Sequence, residues 1–134
     1  MGTTKSTSQR GMISPWVAVG LHDNVAKTIS HNKVFYYIEK LTGYNQKTLQ
    51  STNRKRTLVD ARKMFCLIMS KEAEKSSTAI GIYLRKDHST VLHAIKTGME
   101  LLSYDKKFIK VYDELKELCL NPFSEYEKLC YIAR

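Results

Sequence analysis

The chain has 134 residues, 43% of them hydrophobic and 26% charged, and this length and balance predict one globular domain with room for a core. No stretch approaches the roughly 20 apolar residues of a membrane-spanning helix. The polar residues 1–10 are followed by no long apolar segment, which argues against a secretory signal. The net charge of +9 and the pI of about 9.5 favour a polyanionic partner, either nucleic acid or an acidic membrane surface.

The positive charge is concentrated in the middle of the chain. Residues 1–51 carry 6 Lys and Arg against 2 Asp and Glu, a net of +4. Residues 52–110 carry 13 against 6, a net of +7, and residues 111–134 carry 3 against 5, a net of −2. The surface that meets a polyanion is therefore predicted in the middle segment.

The three cysteines, Cys66, Cys119 and Cys130, are odd in number and lack metal-site spacing. Cys66 lies in an apolar run, which predicts a buried, inert thiol. His88 and His93 do not have the i, i+4 spacing of two zinc ligands on one helical face. No carboxylate pair or Ser-His-Asp arrangement stands out. We predict no catalytic residue, no metal and no cofactor, and a reducing cytoplasm is the simplest setting.

Three segments are predicted along the chain. Residues 1–21 are expected to form a disordered N-terminal tail, with an apolar patch at Pro15–Val19 that can dock onto the domain or onto a protein partner. Residues 22–120 form the helical domain. Residues 121–134 form a C-terminal tail with room for a short helix at 124–132.

Apolar residues recur at helical spacing and no strand pattern occurs, so the predicted fold class is all-α, a compact helical domain. The first helix begins near His31 or Asn32 and ends at Gly43, which suits a helix C-terminal stop. A short helix follows Asn45, and the basic residues 51–56 form a loop. The remaining helices are predicted from 57 or 58 to about 73, from the cap cluster 76–78 to 84, at 88–102 and at 106–120.

The two longest of these helices are expected to pack on each other. The helix at 57–73 has a core stripe that consists of Leu58, Ala61, Phe65, Ile68 and Met69. Gly98, inside the helix at 88–102, predicts close approach to the helix that carries Phe65.

Residues 77–102 have the shape of a helix-turn-helix, with a turn at Arg85–Lys86. Asp87 is placed to cap the second helix by accepting the backbone N–H of Thr90. The buried stripe of that helix is predicted to be Val91, Leu92, Ile95, Met99 and Leu102. Its other side carries side chains that could reach base edges, namely Ser89, Thr90, His93 and Lys96.

Three motifs resemble the C-terminal DNA-binding domain of the bacterial replication initiator family DnaA. They are Leu58–Lys63, Ile80–Gly81 and, most specific, Asp87–Ala94, and the resemblance covers about residues 30–105. It implies a helical domain with a Trp-repressor-like helix-turn-helix. Such a domain reads an A·T-rich, asymmetric box in double-stranded DNA as a monomer.

The resemblance also implies roles for individual side chains. Arg54, or alternatively Arg56, reaches into the minor groove, and Arg62 and Lys63 hold phosphates or the groove edge. Ser77 and Thr78 offer backbone N–H groups to a phosphate at a helix N-terminus. The major groove is lined by Lys86, Asp87, His88, Ser89, Thr90 and His93, and Lys96 lies on the same face.

Several positions depart from the family pattern. Relatives usually have Phe-Gly-Gly-Arg before the Asp-His pair, whereas this chain has Leu84-Arg85-Lys86, which is one residue shorter and lacks glycine. Ser70 stands where relatives carry a basic residue. The 134 residues contain no P-loop pattern, so the resemblance implies a stand-alone, non-enzymatic copy of the module, as expected in a phage, a mobile element or a divergent genome.

Other interpretations of the same residues stay open. Arg54–Arg56 can be a solvated loop, and Arg62 or Lys63 can pair with Asp60. The preferred function is sequence-specific DNA binding in replication initiation or its control, alongside protein partners of a replication complex. The alternatives are a transcriptional regulator with the same module and a phage-type protein-interaction or structural component. The expected location is the cytoplasm, at the nucleoid.

Overall fold

The computed structural model of the protein describes residues 29–133, with side chains through residue 130. Within that range the fold is all-α, as predicted. The helices are α1 (His31–Thr42), α2 (Gln46–Gln50), α3 (Arg56–Lys71), α4 (Ser77–Leu84), α5 (His88–Tyr104), α6 (Lys106–Leu120) and α7 (Glu125–Ala133). None of them is long and apolar enough to cross a membrane. The predicted N-terminal tail, residues 1–21, and its Pro15–Val19 patch lie outside the described residues.

Local signals account for the ends of the first two helices. The Ser30 side chain accepts the backbone N–H of Lys33 at the start of α1, and Gly43 ends that helix with a φ of 85°. Asn45 caps α2 by accepting the backbone N–H of Thr48 at 2.9 Å. The predicted starts and the glycine stop are confirmed because each depends only on residues within one helical turn.

The predicted ends of the long helix are wrong by one or two residues. Helix α3 begins at Arg56, a residue that was predicted to belong to the preceding loop. No side chain caps this end of the helix, so the sequence carries no signal for its start. It ends at Lys71 rather than near residue 73, and Glu74 then takes a left-handed φ of 56°. The backbone N–H of Lys75 turns back to the carbonyl of Met69 at 2.9 Å, which closes the helix.

Helix α3 lies at the centre of the core. Its predicted stripe is buried, and so is the whole run Met64–Met69, which is the pattern of a helix surrounded by other elements. The rings of Phe35 on α1 and Phe65 on α3 stack with 4.3 Å between centroids. The thiol of Cys66 is buried here, as predicted, and burial raises its pKa to about 12, which disfavours the reactive thiolate.

The buried side of α5 differs from the predicted stripe. Val91 is buried, but Leu92 and Met99 are 52% and 49% exposed, while Gly98 and Leu101 face the core. A Cβ built on Gly98 would lie 2.9 Å from Leu67 Cδ1, so the glycine marks the closest approach of α5 to α3. The predicted close approach of Gly98 to the Phe65 helix is confirmed, whereas the predicted stripe is wrong because the face of α5 that packs on α3 includes this glycine, which has no side chain to count.

Helix α7 is joined to α1 by polar contacts. The Nζ atom of Lys33, a fully buried side chain, donates to Glu127 Oε1 at 2.7 Å and to the carbonyl of Asn121 at 3.0 Å. The backbone N–H of Tyr126 donates to the hydroxyl of Tyr37 at 2.9 Å. The segment from Asn121 to Glu127, which includes the start of α7, therefore packs on α1.

Candidate nucleic-acid interface

Helices α4 and α5 form the helix-turn-helix around a tight turn. Arg85 takes a left-handed conformation with a φ of 57°, and the backbone N–H of Lys86 donates to the carbonyl of Gly81 at 2.9 Å. This is the bonding pattern in which glycine usually supplies the left-handed residue. The turn keeps that geometry without glycine. A Cβ on Gly81 would lie 2.5 Å from the carbonyl oxygen of Lys86, so the turn leaves no room for a side chain at position 81.

Asp87 caps α5 as predicted. Its carboxylate accepts the backbone N–H of Thr90 at 2.9 Å and the hydroxyl of Ser89 at 3.2 Å. Hydrogen bonds from Thr90, and then from Ser89, lower the pKa of the Asp87 carboxyl below its ordinary value. The first turn of α5 contains no acidic side chain. Asp87 therefore caps the N-terminal end of α5 and is the acidic group at that end.

The side chains predicted to read bases lie on the surface of α5. His88, Ser89, Thr90, His93 and Lys96 are all exposed. Thr97 lies one turn beyond His93 on the same side of α5, is partly buried, and donates its hydroxyl to the carbonyl of His93 at 2.9 Å.

The loop before α3 lies beside this helix. A cavity of about 450 Å³ is enclosed by the loop, α3, the helix-turn-helix turn and α5. Predicted site residues on its walls are Arg54, Arg62, Lys63, Lys86, Thr90 and His93. The structure thus brings the predicted site residues at 54–63 next to those at 86–93, although the two sets are separate in sequence. Sequence reasoning had no signal for Thr52 and Val59, which also line the cavity.

Arg54 and Arg56 were predicted as alternative minor-groove residues. Both are exposed, and both line a second groove with Lys63, Thr97 and Tyr104. Arg54 precedes α3 and lies in the loop, whereas Arg56 is the first residue of the helix. Only Arg54 also reaches the cavity beside Thr90 and His93, which favours it as the residue closest to the recognition helix.

Arg62 and Lys86 are engaged by the protein itself. The Arg62 guanidinium donates to the carbonyls of Leu49, Ser51 and Asn53, each at 2.7 Å. Lys86 Nζ donates to the carbonyl of Ser51 at 2.7 Å. Burial lowers the pKa of both side chains, and the nearby Arg62 lowers that of Lys86 further. Their cationic groups therefore point at the loop backbone in this structure.

The other predicted cationic and helix-end residues make fewer contacts within the protein than Arg62 and Lys86 do. Lys63 Nζ lies 4.0 Å from Asp60 Oδ1, at the outer limit of an ion pair, and both side chains are partly buried. Helix α4 is capped by Ser76, whose hydroxyl oxygen accepts the backbone N–H of Ala79 at 3.2 Å. Ser77 and Thr78 follow as its first residues, where backbone N–H groups have no partner inside a helix. Among residues 29–133, no cluster of His, Cys, Asp and Glu is placed to hold a metal ion.

Comparisons with known proteins give the family. A family model described as the bacterial dnaA protein helix-turn-helix matches residues 31–97, half of the chain. The chain is 32% identical over 95 residues to the chromosomal replication initiator protein DnaA of Flavobacterium psychrophilum, which covers 70% of the chain and 20% of that relative. It is 29% identical over 100 residues to the protein of the same name from Bacteroides thetaiotaomicron, covering 74% and 21%. The chain spans about a fifth of the length of these curated relatives. It belongs to the family of the bacterial DnaA helix-turn-helix.

Proposed function

We propose that this chain binds double-stranded DNA with sequence preference, through α5 in the major groove and the loop at Arg54 in the adjacent minor groove. The observation that supports the proposal is that the start of α5 and the loop at Arg54 lie beside each other on one surface. The capped start of α5 exposes His88, Ser89 and Thr90, and Arg54 lines the cavity beside it. A helix fits the major groove, and an arginine suits the narrow, strongly negative minor groove of A·T-rich DNA.

Each group on this surface has a chemical counterpart on DNA. The methyl group of Thr90 can pack on a thymine methyl, and the imidazoles of His88 and His93 can hydrogen-bond to base edges. Lys63 and Lys96 suit phosphates, as do the N–H groups of Ser77 and Thr78 at the start of α4. The net charge of +7 over residues 52–110 supports attraction to a polyanion.

The family match supports a role in replication initiation or in its control. Both relatives named above are chromosomal replication initiator proteins. The chain would occupy an A·T-rich initiator box as a monomer, at the nucleoid in the cytoplasm, and would act by binding and not by catalysis. Partners within a replication complex would be recruited from the bound state. A transcriptional regulator with the same reading surface is the alternative role.

A random-sequence duplex selection tests the proposal. We expect one asymmetric, A·T-rich motif to be enriched by the wild-type chain, and Thr90→Ala to lose preference at one position of that motif. A Lys75→Ala variant, which removes an exposed lysine between α3 and α4, serves as the charge control and should select the wild-type motif. Selection of no motif by the wild-type chain would contradict sequence-specific binding and favour a protein-interaction role.

A further inference from the structure

The backbone carbonyls at the end of α2 and in the loop after it are held by donors from two different elements. From α3, Arg62 Nε donates to the carbonyl of Leu49, its Nη2 to that of Ser51 and its Nη1 to that of Asn53, each at 2.7 Å. From the helix-turn-helix turn, Lys86 Nζ donates to the carbonyl of Ser51 at 2.7 Å. The carbonyl of Ser51 therefore joins the central helix, the loop and the turn.

A second bond links the same two regions. The side-chain amide of Gln50 donates to the carbonyl of Tyr83, in the last turn of α4, at 2.8 Å. Lys86 Nζ also lies 3.4 Å from the carbonyl of Gln50. The helix-turn-helix and the end of α2 are thus connected by side chains in both directions, although more than 30 residues separate them in sequence.

These bonds give partners to backbone carbonyls that the short helix α2 leaves without one. Helix α2 has five residues, so its last carbonyls have no partner within the helix and its C-terminal end is partially negative. The loop 52–55 has no regular structure of its own. Two cations on those carbonyls order a segment that would otherwise adopt many conformations.

Arg54 follows directly after the carbonyl of Asn53 that Arg62 holds. It lines the same cavity as Lys86 and Thr90. We propose that Arg62 and Lys86 are positioning residues, which fix Arg54 at one distance from the recognition helix so that both grooves are read at a single spacing. The inference rests on the proposed DNA binding, and it assigns Lys86 to the loop instead of to a base edge.

Two roles of Lys86 predict different energetics. A lysine that contacts DNA directly would contribute independently of Arg54, so the losses in affinity from the two substitutions would multiply. A lysine that positions Arg54 would not contribute independently of it, so the two losses would not multiply. Once the loop is released, Arg54 itself contributes little to the affinity. The comparison of single and double variants therefore separates positioning from contact.

The experiment measures duplex affinity at constant salt for Arg54→Ala in two backgrounds. In the wild-type background we expect a loss of about tenfold, the size of one good base contact. In a Lys86→Met background we expect the further loss to be less than about twofold. Substituting the A·T-rich flank of the site should likewise matter to wild type and not to Lys86→Met, whereas substituting the major-groove core should weaken both.

Controls separate charge and folding from positioning. Lys96→Met removes one exposed charge from α5, so it should weaken binding while the Arg54→Ala loss stays about tenfold. Lys86→Arg keeps a cationic donor and should restore the dependence on Arg54. Arg62→Met tests the other cation, but it removes the Arg62 donors from the carbonyls of Leu49 and Asn53 and one of the two donors from that of Ser51, and it can unfold the loop. Lys86→Met, which leaves Arg62 in place, is therefore the primary variant, and thermal melts verify that each variant is folded.

Each outcome supports or overturns a defined statement. An undiminished tenfold effect of Arg54→Ala in the Lys86→Met background would overturn the positioning role and leave DNA binding intact. A wild-type chain without any duplex preference would overturn the proposed function and this inference together. Loss of the Arg54 effect only in Lys86→Met and Arg62→Met, with recovery in Lys86→Arg, is the expected result.

Discussion

Gly81 and Lys86 bond to each other across the helix-turn-helix turn, with the backbone N–H of Lys86 donating to the carbonyl of Gly81 at 2.9 Å. A Cβ on Gly81 would lie only 2.5 Å from the carbonyl oxygen of Lys86. This contact is with backbone, so no side-chain rotation can relieve it. The left-handed Arg85 leaves the turn little freedom to open.

We therefore expect Gly81→Ala to lower the free energy of unfolding by about 1–3 kcal/mol, the usual cost of overpacking. Urea denaturation measures it. DNA affinity should fall as well, because the angle between α4 and α5 changes. Gly43→Ala is the matched control. It has open space but a φ of 85°, so it should cost about 1 kcal/mol through strain and leave the affinity of the folded protein unchanged.

The Asp87 cap predicts a pH-dependent contribution to stability. Hydrogen bonds from Thr90 and Ser89 lower the pKa of the Asp87 carboxyl below the ordinary value of about 3.9. The contribution is thus fully present above that value and is lost as the pH falls through the lower, folded-state pKa. Asp87→Ala should lower the melting temperature at pH 7, and this deficit should shrink as the pH falls through the lowered, folded-state pKa of the carboxyl.

Asp87→Asn separates the cap from the charge. Asparagine is also a good N-cap residue, so this variant should melt near the wild-type temperature at pH 7. An Asp87→Ala deficit that is independent of pH would contradict the assignment of the ionised carboxylate as the cap.

The buried Lys33 predicts a strong dependence of stability on α7. Glu127→Ala leaves the ammonium group with the carbonyl of Asn121 as its remaining acceptor, so it should cost about 1–3 kcal/mol in urea denaturation. The loss stays below that of a fully buried pair because the Glu127 side chain is 32% exposed. Lys33→Met, which fills the same space without a charge, should be nearly neutral.

The double variant Lys33→Met/Glu127→Ala provides the check. It should be more stable than Glu127→Ala alone, because the unpaired cation is gone. Additive losses from the two substitutions would show that the pair does not couple α1 to α7.

His88 and Lys96 should affect DNA binding in different ways. We expect His88→Ala to reduce discrimination at one base pair by about 1–3 kcal/mol, as for a lost base contact. Lys96→Ala should weaken all sequences alike and reduce the slope of log affinity against log salt by about one. Titrations at several salt concentrations, with the selected site and a scrambled duplex, distinguish the two. Equal losses on both duplexes for His88→Ala would assign His88 to the phosphate backbone.

The sequence by itself determined the local parts of this protein. The Asp87 cap, the Gly43 stop and the exposed face of α5 each depend on residues within one or two helical turns. Spacing and capping chemistry therefore identify them without knowledge of the fold. The specific Asp87–Ala94 run supplied the family resemblance in the same way.

The tertiary structure decided what depends on distant partners. It placed Leu67 against Gly98, at the helix contact that the sequence predicted, and it left Leu92 and Met99 exposed against the prediction. It gave Lys33 a partner 94 residues away in Glu127. It also directed Arg62 and Lys86 to carbonyls of the loop, a role that sequence reading could not assign because every residue has the same carbonyl. Side-chain types and spacing report local geometry, whereas backbone acceptors and the closest approach of two helices exist only once the chain has folded.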